Sequence, residues 1–155
     1  MPIRHTTVIA ILFLCGTSVS CIRRETSIPQ INGTVSDGDV RLAGAKVSFQ
    51  VHGYSEDRTK KTVVDSATTT TNHEGAFSIL RTTKLGVFLP VPADYAIPVS
   101  LCFEPESAPQ VCWQVELLGP PELPAQLNVS CDVQDENICT FLDTKPIAYR
   151  VFRDP

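Results

Sequence analysis

No apolar run in this chain reaches the roughly 20 residues that a membrane-crossing helix needs. The longest, "VIAILFLCG" from Val8 to Gly16, holds nine mostly apolar residues. Clustered basic residues are missing too. Arg23–Arg24 and Lys60–Lys61 are isolated pairs, so a nucleic-acid partner, which needs Lys/Arg groups to neutralise phosphates, is not expected. There is no Gly-x-Ser-x-Gly elbow, no glycine-rich phosphate loop among the eight scattered glycines, and no Cys-x-x-Cys redox pair. Histidines number three, and no apolar pattern keeps a helical period. These absences argue against an enzyme and against a helical fold, and no cofactor or metal is expected.

The N-terminus carries an address. Arg4 and His5 precede the apolar stretch, in the layout of a secretory signal. Ser18 and Ser20 are small residues at the minus three and minus one positions, which suits an ordinary cut before Cys21. "SVSC" also resembles the bacterial lipobox, in which the cysteine after the cut receives diacylglycerol on its sulfur; Ser18 stands where that pattern prefers Leu. Of six cysteines, Cys15 lies in the signal and five follow it. An odd thiol is a liability in an oxidising compartment. Lipid on Cys21 would leave Cys102, Cys112, Cys131 and Cys139 to pair. The lipobox resemblance implies a three-chain anchor, and Ile22 in place of Asp implies the outer membrane rather than the inner one. The expected organisation is a signal over residues 1–20, a lipid-anchored tether over 21–30 and one domain over 31–155. Fully extended, a tether of this length holds the domain within about 30 Å of the membrane. After the cut 12 basic and 17 acidic residues remain, a charge of −5. Arg23–Arg24 reads as solvated surface charge, with anionic head groups as the alternative partner.

Strand signals fill the rest. "INGTV", "AKVSFQV", "TVVDSATTTT" and "AFSIL" are separated by "SDGD", "HGYSEDRTKK" and "NHEG"; "IPVSLCFE", "QVCWQVELL", "AQLNVSCDV" and "ICTFL" follow. Val47, Phe49 and Val51 alternate with Lys46, Ser48 and Gln50, as a half-buried strand requires. The proline-dense "LPVPADYAIP" reads as a bridge. The pattern predicts an all-β, disulfide-stapled sandwich of about seven to eight strands, immunoglobulin-like or transthyretin-like.

"INGTVSDGDVRLAGAKVSF" followed by "TTTTNHEGAFSI" resembles the carboxypeptidase regulatory-like, or transthyretin-like, domain. The matching residues are Gly33 and Val35, then Leu42, Gly44, Ala45 and Val47, then Thr70, Gly75 and Phe77. The resemblance covers about Ile31 to Leu80. Asn72 replaces the usual Asp, and either side chain can cap the turn.

Strand register predicts the disulfides. If Cys102 faces Cys112, then Leu101 faces Trp113, Phe103 faces Val111 and Val99 faces Val115, all on one apolar face. The cysteines then share the other face with Ser100, Glu104, Gln114 and Glu116, and "PESAP" is the connection. Cys131 facing Cys139 likewise sets Val129 against Phe141. Four cysteines allow three connectivities, and this local one is preferred.

The remaining candidates have bland readings. His73 with Glu74 would make half a metal site but reads as a solvated turn, and His52 as a strand end on the polar side. Asp132, Asp135 and Glu136 would bind calcium weakly or form a plain acidic loop. Trp113 and Tyr95 are candidate binding anchors, with core the better reading for Trp113. Thr68–Thr71 reads as β-propensity, and the sequons at Asn32 and Asn128 carry weight only in a eukaryotic secreted protein. The expected function is a non-catalytic binding or assembly module, lipid-anchored in the envelope with a protein partner there. The alternative is a periplasmic inhibitor or immunity protein against a hydrolase or toxin; an enzyme ranks last.

Overall fold

The computed structural model describes residues 22–54, 61–87, 96–118, 123–143 and 149–151. Cys21, Lys60 and Tyr95 lie outside the described residues. All regular structure described is β: β1 Ile22–Ile28, β2 Gln30–Asp37, β3 Val40–Arg41, β4 Lys46–Tyr54, β5 Lys61–Thr70, β6 Ala76–Ile79, β7 Thr82–Val87, β8 Ala96–Glu104, β9 Val111–Leu118, β10 Gln126–Asp132, β11 Cys139–Phe141 and β12 Tyr149–Val151. The all-β expectation holds, with twelve described strands in place of seven or eight. The strands without a sequence signal, β1, β3, β7 and β12, make up the difference.

Besides a two-stranded β1–β7 ribbon there are two five-stranded sheets: one runs β11-β10-β2-β3, with β6 also pairing β2, and the second runs β12-β9-β8-β4-β5. Every pair is antiparallel except β2 with β10, where Gln126 to Asp132 run alongside Gln30 to Ser36. A single core joins the two sheets. Ile31, Val35, Phe77, Ile79, Leu127 and Val129 meet Val47, Phe49, Val51, Leu101, Phe103 and Val115. Across the gap the Phe77 and Phe103 rings pack edge to face with centroids 6.0 Å apart. Each such fully buried side chain contributes roughly 1.5–3 kcal/mol.

The glycines of the resemblance have physical reasons to be glycine. Gly33 stands in the middle strand between Val129 and Phe77. A Cβ there would lie 2.6 Å from Val129 Cγ2 and 2.7 Å from Phe77 Cζ. Gly75 has φ +71°, and its Cβ would lie 2.5 Å from the Val35 carbonyl oxygen. Around it Asn72 caps the turn as expected: its Oδ1 accepts from the Glu74 and Ala76 amides, each at 2.9 Å. The threonine that clasps this end is Thr71, one position beyond the matched Thr70. Its buried hydroxyl accepts from Ala45 N at 2.9 Å and donates to Leu42 O at 2.6 Å.

Leu101↔Trp113, Cys102↔Cys112, Phe103↔Val111 and Val99↔Val115 is the register adopted by β8 and β9. Cys131↔Cys139 and Val129↔Phe141 is that of β10 and β11. Both disulfides close across these pairs, with Cα atoms 4.0 Å apart. One feature adds to the expectation. The outer face of β8 and β9 carries the cysteines with Ser100, Glu104, Gln114 and Glu116 as expected, and Ser100, Cys102 and Glu116 are all buried on it. Pro98 sits in β8 just beyond Val99, where the ladder with β4 ends.

Within residues 21–30, expected as a tether, most of the described part is regular structure. Ile22–Ile28 is a strand paired antiparallel with β7, in the register Ile22↔Val87 to Ile28↔Thr82. Only Pro29 separates it from β2, and β6 likewise leads through Leu80 and Arg81 into β7. The ribbon therefore prolongs the β2–β6 ladder. Its base is fixed by polar contacts: Arg81 donates to Thr26 Oγ1 at 2.9 Å, and the Ser27 and Thr82 hydroxyls are 2.8 Å apart. Thr26 and Ser27 are buried there. Backbone pairing and these contacts, rather than an alternating apolar pattern, give the segment its structure.

Candidate functional site

Because β2 and β10 run parallel, their C-terminal ends lie side by side, and both lead into acidic loops. "SDGD" follows one and "DVQDEN" the other. Asp37, Asp39, Asp135 and Glu136 are exposed there, and Asp132 is half-buried. Arg41 is the nearby basic residue in β3. The loops are tied to each other: Asp132 Oδ1 accepts from Gly38 N at 2.9 Å and from Gln134 N at 3.0 Å. Those two amides, Gly38 first, hold the Asp132 carboxyl below its ordinary pKa. Val133 N donates to Ser36 O at 2.9 Å, and Asp135 Oδ1 accepts from Asn137 N at 2.9 Å. Ile138 closes the loop at φ +52°, a costly conformation for a β-branched residue, and the adjoining Cys131–Cys139 disulfide holds it. A shallow polar cavity of about 250 Å³, lined by Ser36, Ser130, Asp132 and Asn137 among others, opens beside it.

The outcome is a preorganised acidic pole. Among the described residues no three His, Cys, Asp or Glu side chains are grouped to hold a metal ion. His73 and Glu74 lie on the exposed tip of the β5–β6 turn, 3.8 Å apart. Trp113 is buried, at 4% exposure, and its Nε1 has no hydrogen-bond partner among the described residues. It packs on Phe141 and Tyr149, with ring centroids 5.1 and 6.0 Å away. The two sequon asparagines are neighbours in the parallel ladder, and Asn128 Nδ2 donates to Asp143 Oδ1 at 2.6 Å.

Sequence reasoning missed one pair. His52 Nε2 and Ser100 Oγ are 2.7 Å apart, across β4 and β8. Extending the β8–β9 register onto β4 would have found it, since Val51↔Val99 places His52 and Ser100 on the same outer face. Burial first, and the Lys61 charge second, hold the imidazole below its ordinary value of 6.5. A serine beside a neutral histidine is the beginning of a nucleophile–base pair. Ser100 is only 5% exposed, which denies a substrate carbonyl access to it. Glu116, in β9, pairs with Pro98 of β8, which places it two strands from His52 of β4. The arrangement satisfies buried polar groups; it does not build a triad.

No protein-family model, curated protein or solved structure matches the chain.

Proposed function

We propose that this chain is a lipid-anchored envelope protein whose transthyretin-like sandwich is a non-catalytic module that binds another envelope protein through its acidic pole. The observation that carries the reading is an axial separation. The paired ribbon that follows Cys21 leaves one end of β2, and the stapled acidic loops cap the other. An anchor at Cys21 thus presents the loops away from the membrane. Support for the anchor is the thiol count, since the four downstream cysteines pair with one another. Support for the transthyretin-like fold is the tight packing at Gly33 and the clasp formed by Thr71, Asn72 and Gly75, at or beside the motif positions. Cys21→Ser should release the protein from membranes and abolish palmitate labelling. Detergent-extracted protein should capture a partner that is lost when Asp135 and Glu136 are both changed to Lys. Capture insensitive to that reversal, or recovery of lipid alone, would overturn the binding assignment.

A second reading, an inhibitor or immunity protein, is favoured by the rigidity of the same loop, because a preordered loop loses little entropy on entering a partner's cleft. An inhibitor would suppress a hydrolase or toxin stoichiometrically, whereas an assembly partner would co-fractionate with the membrane.

A further inference from the structure

We propose that the β1–β7 ribbon is itself a membrane-docking surface that takes anionic phospholipid head groups and orients the sandwich upright. The inference deepens the anchored reading and rests on it for the ribbon's location, though not for its charge.

The ribbon is charged unlike the rest of the molecule. Its two strands carry Arg23, Arg24 and Lys84 against one acid, Glu25, a balance of +2. With −5 on the chain after Cys21's cut, the remainder carries −7. Arg24 and Lys84 are exposed, and Glu25 reaches across Gly86, whose missing Cβ leaves room for its carboxylate. Leu85, directly opposite Arg24, is 73% exposed. A leucine and an arginine side by side, both facing solvent, suit an interface where an apolar side chain enters the head-group layer beside its basic neighbour.

Position adds to chemistry. β1 starts at the residue after Cys21, so the ribbon is the first structure any anchor there would hold to the bilayer. Its seven residues rise about 20 Å at about 3.3 Å per step. A stalk of this kind, fixed at its base by Arg81, Thr26, Ser27 and Thr82, transmits orientation, which a loose leash does not. At an anionic surface the basic ribbon is attracted while Asp37, Asp39, Asp135 and Glu136 at the far pole are repelled. Both forces turn the molecule the same way.

The test uses the full chain expressed in bacteria, as wild type and as Cys21→Ser, floated with phosphatidylcholine vesicles with or without phosphatidylglycerol at low ionic strength. One basic residue near an anionic surface is worth roughly fivefold in partition. The Cys21→Ser chain should therefore favour the anionic vesicles by roughly 25-fold, and Arg24→Ala with Lys84→Ala should remove that preference. Lys46→Ala with Arg150→Ala changes net charge equally on the body and should leave it intact. Equal flotation of Cys21→Ser on both vesicles, or equal loss with the body variant, overturns the ribbon assignment. The anchor is decided separately: wild type but not Cys21→Ser should stay on neutral vesicles, and no difference between them there removes the anchor while leaving the charge comparison readable.

Discussion

The β8–β9 and β10–β11 hairpins each set two cysteines directly opposite one another with Cα atoms 4.0 Å apart, and they close loops of similar length, ten and eight residues in separation. They differ in the phase of the pleat. Cys131 follows Leu127 and Val129 on the inward face of its strand, so the second disulfide belongs to the core. Cys102 lies between Leu101 and Phe103, which point inward, and so faces the other way with Ser100 and the His52 contact. One covalent device therefore does two physical jobs. Chain-entropy arguments give the two staples nearly equal value, roughly 2.5–3 kcal/mol. Any further difference measures packing.

The largest effect is expected for Cys131→Ala with Cys139→Ala. Loss of the loop constraint and of two buried sulfurs should cost about 4–5 kcal/mol, read from the urea midpoint at unchanged slope. Cys102→Ala with Cys112→Ala should cost less, about 3 kcal/mol, because Cys112 is half-buried and the one buried sulfur, that of Cys102, lies outside the core that joins the sheets. Equal losses would break the distinction between the inward and outward staples. The smallest effect probes the outward face alone. The folded pKa of His52 lies below the unfolded value of 6.5, so its contribution to stability is complete above 6.5 and is lost as pH falls through the folded pKa. His52→Asn should flatten that part of the stability–pH curve. An unchanged slope would mean that the ring is not shielded as the Ser100 contact implies.

These hairpins were legible in the sequence because two cysteines flanked by large apolar residues admit one register that puts the apolar pairs together. β4 was legible from alternation, and the Asn72–Gly75 turn from residue types that few other conformations need. The ribbon was not legible. "IRRETSI" and "TTKLGV" lack the alternation of a half-buried strand and gain their structure from each other, and a pairing of that kind leaves no periodic trace. Nor was the acidic pole, because "SDGD" and "DVQDEN" are far apart in the chain and meet only through the parallel β2–β10 ladder. The buried outer face of β8 was hidden for a related reason: alternation reports one covered face, and β8 is covered on both.

That parallel ladder also sets an order of assembly. Its partners are 96 residues apart, Gln30 with Gln126 and Asn32 with Asn128, whereas each disulfide joins neighbours within a single hairpin. Local hairpins form in microseconds, while distant pairings must first overcome loop-closure entropy. Each disulfide therefore needs only its own hairpin, and not the completed sheet, to bring its cysteines together. The strand that completes the first sheet is also the one stapled to β11, and the edge of β2 that would otherwise invite a stray chain is closed by a strand made some 96 residues after it.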